Sequence, residues 1–372
     1  MRGSSLRWLT LALGLVLLAA PAHARKKKHV SLPTWDWSLS LSEGAVYNDN
    51  VLGFSGRDRD AYSLSPSTFP TPLNSVDDMQ NEFQIRPGIR WRAPLKLMVS
   101  GEYRFKTVNR AENSFSDYQT HWLGLSVRPR VAAYKWSASF RTFVIPSYYL
   151  RVYKDRDWGT WEPARFRNWD YEGAFRYRFY QPLWLEAKAA YGTYYYGRKF
   201  TEYDSDYREF SLGAAYESPW FVTLNAGFTR RLSTNVGKDQ AGPVYNAPED
   251  PSLIGDSEYG DADFRENEVN ASVSSVVPWI KLRRVEAGLS YKFRRRAYIS
   301  SRPLLLDPIH RGRLDKRWEI SPTLNVNIIR SLDAAVYFTY EQRRVDSPDP
   351  RVPLVKDFTR HEYGLALTYM LK

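Results

Sequence analysis

A chain of 372 residues with 43% apolar and 15% aromatic residues, no cysteine and a formal net charge of +12 offers enough material for one large domain. A mean hydropathy of −0.52, with no long apolar run after residue 24, excludes a bundle of membrane helices, each of which needs roughly 20 consecutive apolar residues. The absence of cysteine excludes a disulfide scaffold and a lipid-anchored N-terminus.

Residues 1–24 have the layout of a cleaved export signal: Arg2 and Arg7, an apolar stretch over 9–20, then Ala22-His23-Ala24 as a small-x-small cleavage site. Residues 25–34 begin with a basic cluster, Arg25 to Lys28, and are expected to form a periplasmic tail. Losing Arg2 and Arg7 with the signal leaves a net charge of +10. These charges alternate with apolar residues instead of gathering in a patch, so no nucleic-acid partner is expected.

From residue 35 onward, apolar and polar residues alternate in stretches of about ten. The second stretch is the clearest, with Met79, Phe83, Ile85, Ile89 and Trp91 at odd positions and Gln80, Glu82, Gln84, Arg86, Arg90 and Arg92 at even ones. Strand side chains point to opposite faces with period two, so one face is apolar and the other strongly charged. A soluble sandwich buries the apolar face, whereas a membrane barrel turns it to lipid and wets the charged face in a lumen.

Strands are predicted at 35–47, 79–92, 95–107, 118–127, 133–144, 169–179, 183–195, 208–216, 220–231, 264–277, 282–294, 318–328, 332–340 and 361–371. Short turns centred on Pro94, Pro129, Pro182, Pro219, Pro278 and Arg330-Ser331 alternate with long hydrophilic connections throughout. That alternation predicts an all-β, transmembrane antiparallel up-and-down barrel of about 14 strands over residues 35–372, with both ends on the periplasmic side. Trp91, Trp184, Trp220 and Trp279 lie within three residues of a turn proline and are expected to form the periplasmic interface girdle. Tyr103, Tyr171, Tyr191 and Tyr291 fall on the apolar face farther up their strands.

The polar phase then nominates the lumen. Arg86, Arg90, Arg92, Lys96, Arg104 and Lys106, with Arg176 and Arg178, form a basic wall. Glu102, Asp170, Glu172, Glu186, Glu209, Glu266, Glu268, Glu286, Glu319 and Glu362 point inward as well. Two arrangements fit these residues: acids and bases segregated around the barrel to set a transverse field and a mild anion preference, or local pairing across strands. The segment 148–169, dense in Tyr, Trp, Arg and Asp, is read as a connection that folds inward as a constriction, stacks on sugar rings or lies on the surface.

After the signal only His29, His121, His310 and His361 remain, and no motif surrounds any of them, so no enzyme is expected. Paired aspartates at 58/60, 155/157, 204/206 and 261/263 have a spacing that suits Ca²⁺ or Mg²⁺ but is common in hydrophilic loops. With no glycine-rich phosphate loop and no zinc spacing, neither cofactor nor metal is expected.

Two segments carry family resemblances. Glu362-Tyr363-Gly364-Leu365-Ala366-Leu367-Thr368-Tyr369 resembles the C-terminal insertion strand of Gram-negative outer-membrane β-barrels, although the chain ends Met370-Leu371-Lys372 in place of a terminal aromatic. The resemblance implies recognition by the barrel assembly machinery and residence in the cell outer membrane, among lipid and lipopolysaccharide. Ala45-Val46-Tyr47-Asn48-Asp49-Asn50-Val51 resembles the first-strand exit of uncharacterised proteobacterial barrels, several encoded near polysaccharide machinery. The function expected is a porin-like channel passing small polar or anionic solutes. The alternative is a scaffold or export component for a surface polysaccharide.

Overall fold

A computed structural model of the chain describes residues 34–131, 135–155, 160–237, 263–277, 284–301, 303, 304 and 307–371. The export signal, the basic tail, His29, Pro278, Trp279, Asp157 and Asp261 lie outside these residues.

Among the described residues, fourteen strands form one closed antiparallel sheet. They are β1 (Trp35–Asn48), β2 (Asp78–Ala93), β3 (Leu97–Arg110), β4 (Tyr118–Pro129), β5 (Trp136–Asp155), β6 (Thr160–Tyr180) and β7 (Leu183–Tyr196). The second half comprises β8 (Ser205–Glu217), β9 (Val222–Asn235), β10 (Phe264–Val276), β11 (Val285–Tyr298), β12 (Leu314–Ile329), β13 (Leu332–Asp346) and β14 (Phe358–Leu371). Each strand pairs with its neighbours in sequence, and β1 closes on β14 from Leu39 opposite Leu371 to Asn48 opposite Glu362. Closure leaves no unpaired edge, the condition for a sheet to cross a bilayer.

The alternation sorts as expected. Leu212, Val336 and Leu365 remain 51–53% exposed on the outside, and the residues between them turn inward. An all-round outward apolar face on a closed sheet is a lipid-facing surface, and the chain is an outer-membrane barrel. Glu43 breaks the rule by lying in the outward phase, where the Asn81 side-chain amide donates to its carboxylate at 2.5 Å.

At the periplasmic end the turns are tight. Leu97 N–H donates to Pro94 C=O at 3.3 Å with Leu95 and Lys96 at φ 58° and 56°, a type I′ geometry that matches strand twist. β12 and β13 join through Arg330 and Ser331 alone.

At the outer end most strands outrun their predicted ends, and β5 and β6 do so most. The ladder between β4 and β5 stops at His121 opposite Val144. That between β6 and β7 begins at Phe166 opposite Tyr196. Beyond these points the described arms of β5 and β6 pair with each other, through register shifts between Ile145 and Tyr148 and between Tyr149 and Val152, and Gly197 N–H adds one bond to Arg165 C=O at 2.8 Å. Such irregularities bend a strand, and this one bends across the mouth. Tyr153 lies against Phe200 in the β7–β8 loop, with ring centroids 6.3 Å apart, and under Lys356 of the β13–β14 loop. The described residues of the stretch 148–169 are therefore strand, not the connection expected from sequence. Their inward course is the first of the three expected alternatives.

Two short helices complete the rim: α1 (Gly56–Leu64) and α2 (Arg351–Lys356). α1 starts with a reciprocal cap, in which Ser55 Oγ accepts from Asp58 N–H at 3.1 Å and Asp58 accepts from Ser55 N–H at 3.2 Å.

Candidate functional site

The lumen wall is built by the inward phase of every strand. On β2 and β3, Arg86 meets Glu102 at 2.7 Å, Arg104 reaches the same carboxylate at 3.3 Å, and Lys106 meets Glu82 at 2.8 Å. Arg104 also lies over the Trp122 ring at 4.9 Å. Farther round, Arg141 pairs with buried Glu172, Glu186 with Lys188 at 2.5 Å, Glu268 with Arg294 at 2.6 Å, and Glu286 with Arg284 at 3.8 Å. Local pairing thus accounts for most of the predicted lumen charges, and acids and bases do not segregate into opposing walls. Each exposed pair stabilises by no more than about 1 kcal/mol, so these pairs set the lumen's polarity more than its stability.

Three expectations need correction or refinement. Lys96 sits in the periplasmic turn, exposed, and is not on the lumen wall. Arg90 lies on the inward phase of β2 near the same end, exposed. Trp184 does not join the lipid-facing girdle: it is 2% exposed, occupies the inward phase of β7, and is gripped by Arg176 at 4.5 Å and Arg178 at 4.2 Å. The girdle position is held instead by Trp35 stacked on Trp91 at 5.4 Å and by exposed Trp220. Trp184 turns inward because Leu185, its neighbour, takes the lipid phase.

Predicted residues from several strands meet in one widening of about 420 Å³, where Glu172, Arg176 and Glu186 converge with Trp184, Lys188 and Glu268. A second chamber of about 580 Å³ lies at the mouth under the β5–β6 hairpin. Among the described residues, eight arginines and one lysine line it, with Glu341 as the one carboxylate. Glu341 is 1% exposed and serves both Arg317, at 2.5 Å, and Arg360. Arg343 donates to Lys356 C=O at 2.6 Å and covers Phe358 at 4.7 Å. Among the described residues it has no carboxylate within ion-pair distance. Other carboxylates in the band stand behind their arginines: Glu266 holds Arg296 at 2.8 Å, and Asp315 holds Arg313 at 2.6 Å. Burial alone would pull the Arg313 pKa down, but Tyr298 and Asp315 outweigh it and leave this loop guanidinium above the ordinary arginine range.

Facing the arginine band is an aromatic wall, Tyr148, Tyr153, Phe166, Tyr194 and Tyr196. Two glycines make room for inward rings. A Cβ at Gly192 would lie 2.2 Å from the Tyr207 ring, and one at Gly364 2.1 Å from Tyr337. Gly364 of the insertion-strand resemblance therefore has a lumenal reason.

Most of the arginine band escaped the sequence reading because β11, β12, β13 and β14 were ended or begun short of it, only Arg294 of its members on those strands falling inside a predicted one. Its signal was present: Arg294 and Arg296, Arg317, Arg343 and Arg360 continue the inward phase of their strands.

The first-strand resemblance also acquires a structural role. Asn48 donates to Glu362 at 2.8 Å, Asp49 accepts from His361 Nδ1 at 2.7 Å, and Asn50 bonds both N–H and C=O of Phe54, at 2.7 and 2.8 Å. Together they fasten the outer end of the β1–β14 seam. His121 bonds Tyr103 at 2.8 Å, and His310 bonds Asp307 at 3.0 Å.

Among the described residues, three of the paired aspartates serve local structure. Asp58 caps α1, and Asp206 accepts from Tyr191 OH at 2.9 Å. Asp204 accepts from Tyr196 N–H at 2.6 Å, and burial raises its pKa against that hydrogen bond. Among the described residues, no group of three or more His, Asp or Glu side chains is placed to hold a metal.

No family model matches the chain, and no curated protein matches it. Among solved structures it is similar to the outer membrane protein OmpT of Vibrio cholerae, at 8% identity and TM-score 0.45, over 91% of this chain and 99% of that one. It is similar to the outer membrane channel DcaP of Acinetobacter baumannii, at 10% identity and TM-score 0.45, over 91% and 97%. An anion-selective porin from Comamonas acidovorans matches at 9% identity and TM-score 0.40, over 91% and 99%. The likeness is one of fold alone.

Proposed function

We propose that the protein is a passive outer-membrane pore for small polar and anionic solutes. The observation that carries this reading is a closed barrel whose inward face is ionisable and hydrogen-bonding along its length, with unfilled chambers of about 420 and 580 Å³ inside it. Eight strands enclose an interior that side chains fill, whereas sixteen to eighteen leave an aqueous channel. Fourteen strands lie between these limits, and the β5–β6 hairpin narrows the mouth further. Anions are favoured because the mouth chamber presents nine cationic side chains and one carboxylate.

No catalytic role is assigned. The described histidines are engaged by Tyr103, Asp307 and Asp49, in contacts that hold the rim together.

Refolded protein in planar bilayers tests the reading. Stepwise currents with anion selectivity are expected, and Arg86→Glu should shift the anion-to-cation permeability ratio about twofold toward cations. Silence from protein that is demonstrably folded would remove the pore.

A further inference from the structure

We infer that the mouth chamber is a binding site for a carboxylated sugar chain, its acid groups held by Arg343, Arg317 and Arg360 and its rings laid on Tyr148, Tyr153 and Tyr196. The inference rests on the pore reading, since the chamber lies in the solute path, and it names the solute class.

Charge supplies the first part. Arg317 and Arg360 share Glu341, and among the described residues Arg343 meets a backbone carbonyl and a phenyl face but no acid within ion-pair distance. Three guanidinium groups on neighbouring strands β12, β13 and β14 thus meet two carboxylates, Glu341 and Glu362, the latter 3.6 Å from Arg360. Donors remain for incoming anions, and the planar guanidinium fork matches a carboxylate bidentately.

The facing wall supplies the second part. Aromatic faces stack on the apolar C–H faces of sugar rings, and tyrosine adds a hydroxyl to meet sugar hydroxyls. A bare inorganic anion has no use for such a wall. The volume of about 580 Å³ lies mid-range for sites that enclose a ligand of several rings and exceeds what a single aromatic acid would fill.

The test uses the full chain refolded in detergent, titrated calorimetrically with trigalacturonate, maltotriose, benzoate and inorganic phosphate. Trigalacturonate is expected to bind at least about tenfold more tightly than the other three, and Arg343→Gln to weaken it about tenfold. Tyr153→Ala should weaken it by a similar factor, and Lys96→Gln, in the periplasmic turn, should leave it unchanged. If Arg343→Gln fails to fold, Arg343→Lys retains the charge without the fork and should still lose several-fold. Maltotriose, benzoate or phosphate binding as tightly as trigalacturonate would overturn the site. So would a trigalacturonate affinity that ignores both chamber substitutions. Bilayer recording decides the pore separately: currents without selective binding keep the pore and sink the chamber, and selective binding without currents does the reverse.

Discussion

Arg151 in β5 places its guanidinium 3.2 Å from the carboxylate of Asp58 at the start of α1, 93 residues earlier in the chain, and 4.7 Å above the Phe54 ring. Both side chains are largely buried, at 9% and 16% exposure. A hairpin arm without flanking strands depends on such contacts to stay across the mouth. Others are Val152 N–H donating to Thr71 Oγ1 at 3.2 Å and the Arg165 guanidinium donating to Phe115 C=O at 2.7 Å.

Arg151→Met should free this strap while leaving the barrel intact. Removing one partner of a buried pair costs about 3 kcal/mol, which raises local opening of the hairpin by about two orders of magnitude. Limited proteolysis should cut the hairpin faster, and single-channel conductance should rise. Unchanged cleavage and unchanged conductance would show that the strap is held otherwise.

Trp184→Ala should empty the space between Arg176 and Arg178 and widen the lumen near its periplasmic half. Each cation–π contact is worth about 1 kcal/mol, and truncating a buried tryptophan costs about 3 kcal/mol. Quenching separates the inward ring from the girdle. The fluorescence lost in Trp184→Phe should be insensitive to brominated lipid, whereas that lost in Trp220→Phe should be strongly quenched by it. The opposite pattern would return Trp184 to the lipid interface.

Asn50→Ala should loosen the β1–β14 seam from its outer end. Asn50 is fully buried, and its loss leaves N–H and C=O of Phe54 without their partners, at about 1–3 kcal/mol for each buried group. Urea unfolding in lipid vesicles should shift to lower midpoint, with ion selectivity retained. A midpoint equal to that of the parent would contradict the fastening role.

The β13–β14 loop should loosen in acid. Asp349 accepts from the Arg351 guanidinium at 2.6 Å and from its backbone N–H at 2.9 Å, and the arginine contact first among its causes holds the carboxyl below the ordinary value of 3.8. A depressed folded pKa means that the stabilisation is full above the unfolded value and disappears as pH falls through the lower folded one. Hydrogen exchange in residues 347–357 should therefore be flat from pH 7 to about 4.5, after correction for intrinsic rates, and rise below about 3.8. Asp349→Asn should remove the acid step.

The insertion of Arg343 into the mouth and of Trp184 into the lumen marks where periodicity was enough and where it was not. Alternation alone placed Arg86, Glu102, Arg104, Lys106, Glu172 and Arg176 on the inner wall, because phase is a local property of an extended backbone. It misplaced Trp184, whose turn proximity was weighed above its even number. It put Lys96 on a strand because a type I′ turn of ordinary residues, Leu95 and Lys96, has no glycine to announce it.

The sequence by itself determined the strand number, the alternation of short and long connections and which face of each strand meets lipid, since period-two patterning and turn spacing are written residue by residue. Only the tertiary structure decided that the outer arms of β5 and β6 cross the mouth, that Glu341 must serve two arginines and that Arg343, among the described residues, has no acid within ion-pair distance. Those outcomes depend on contacts such as Arg151 with Asp58, between segments that meet only when the sheet closes on itself. Closure is set by the whole set of fourteen registers, and no window of the sequence contains it.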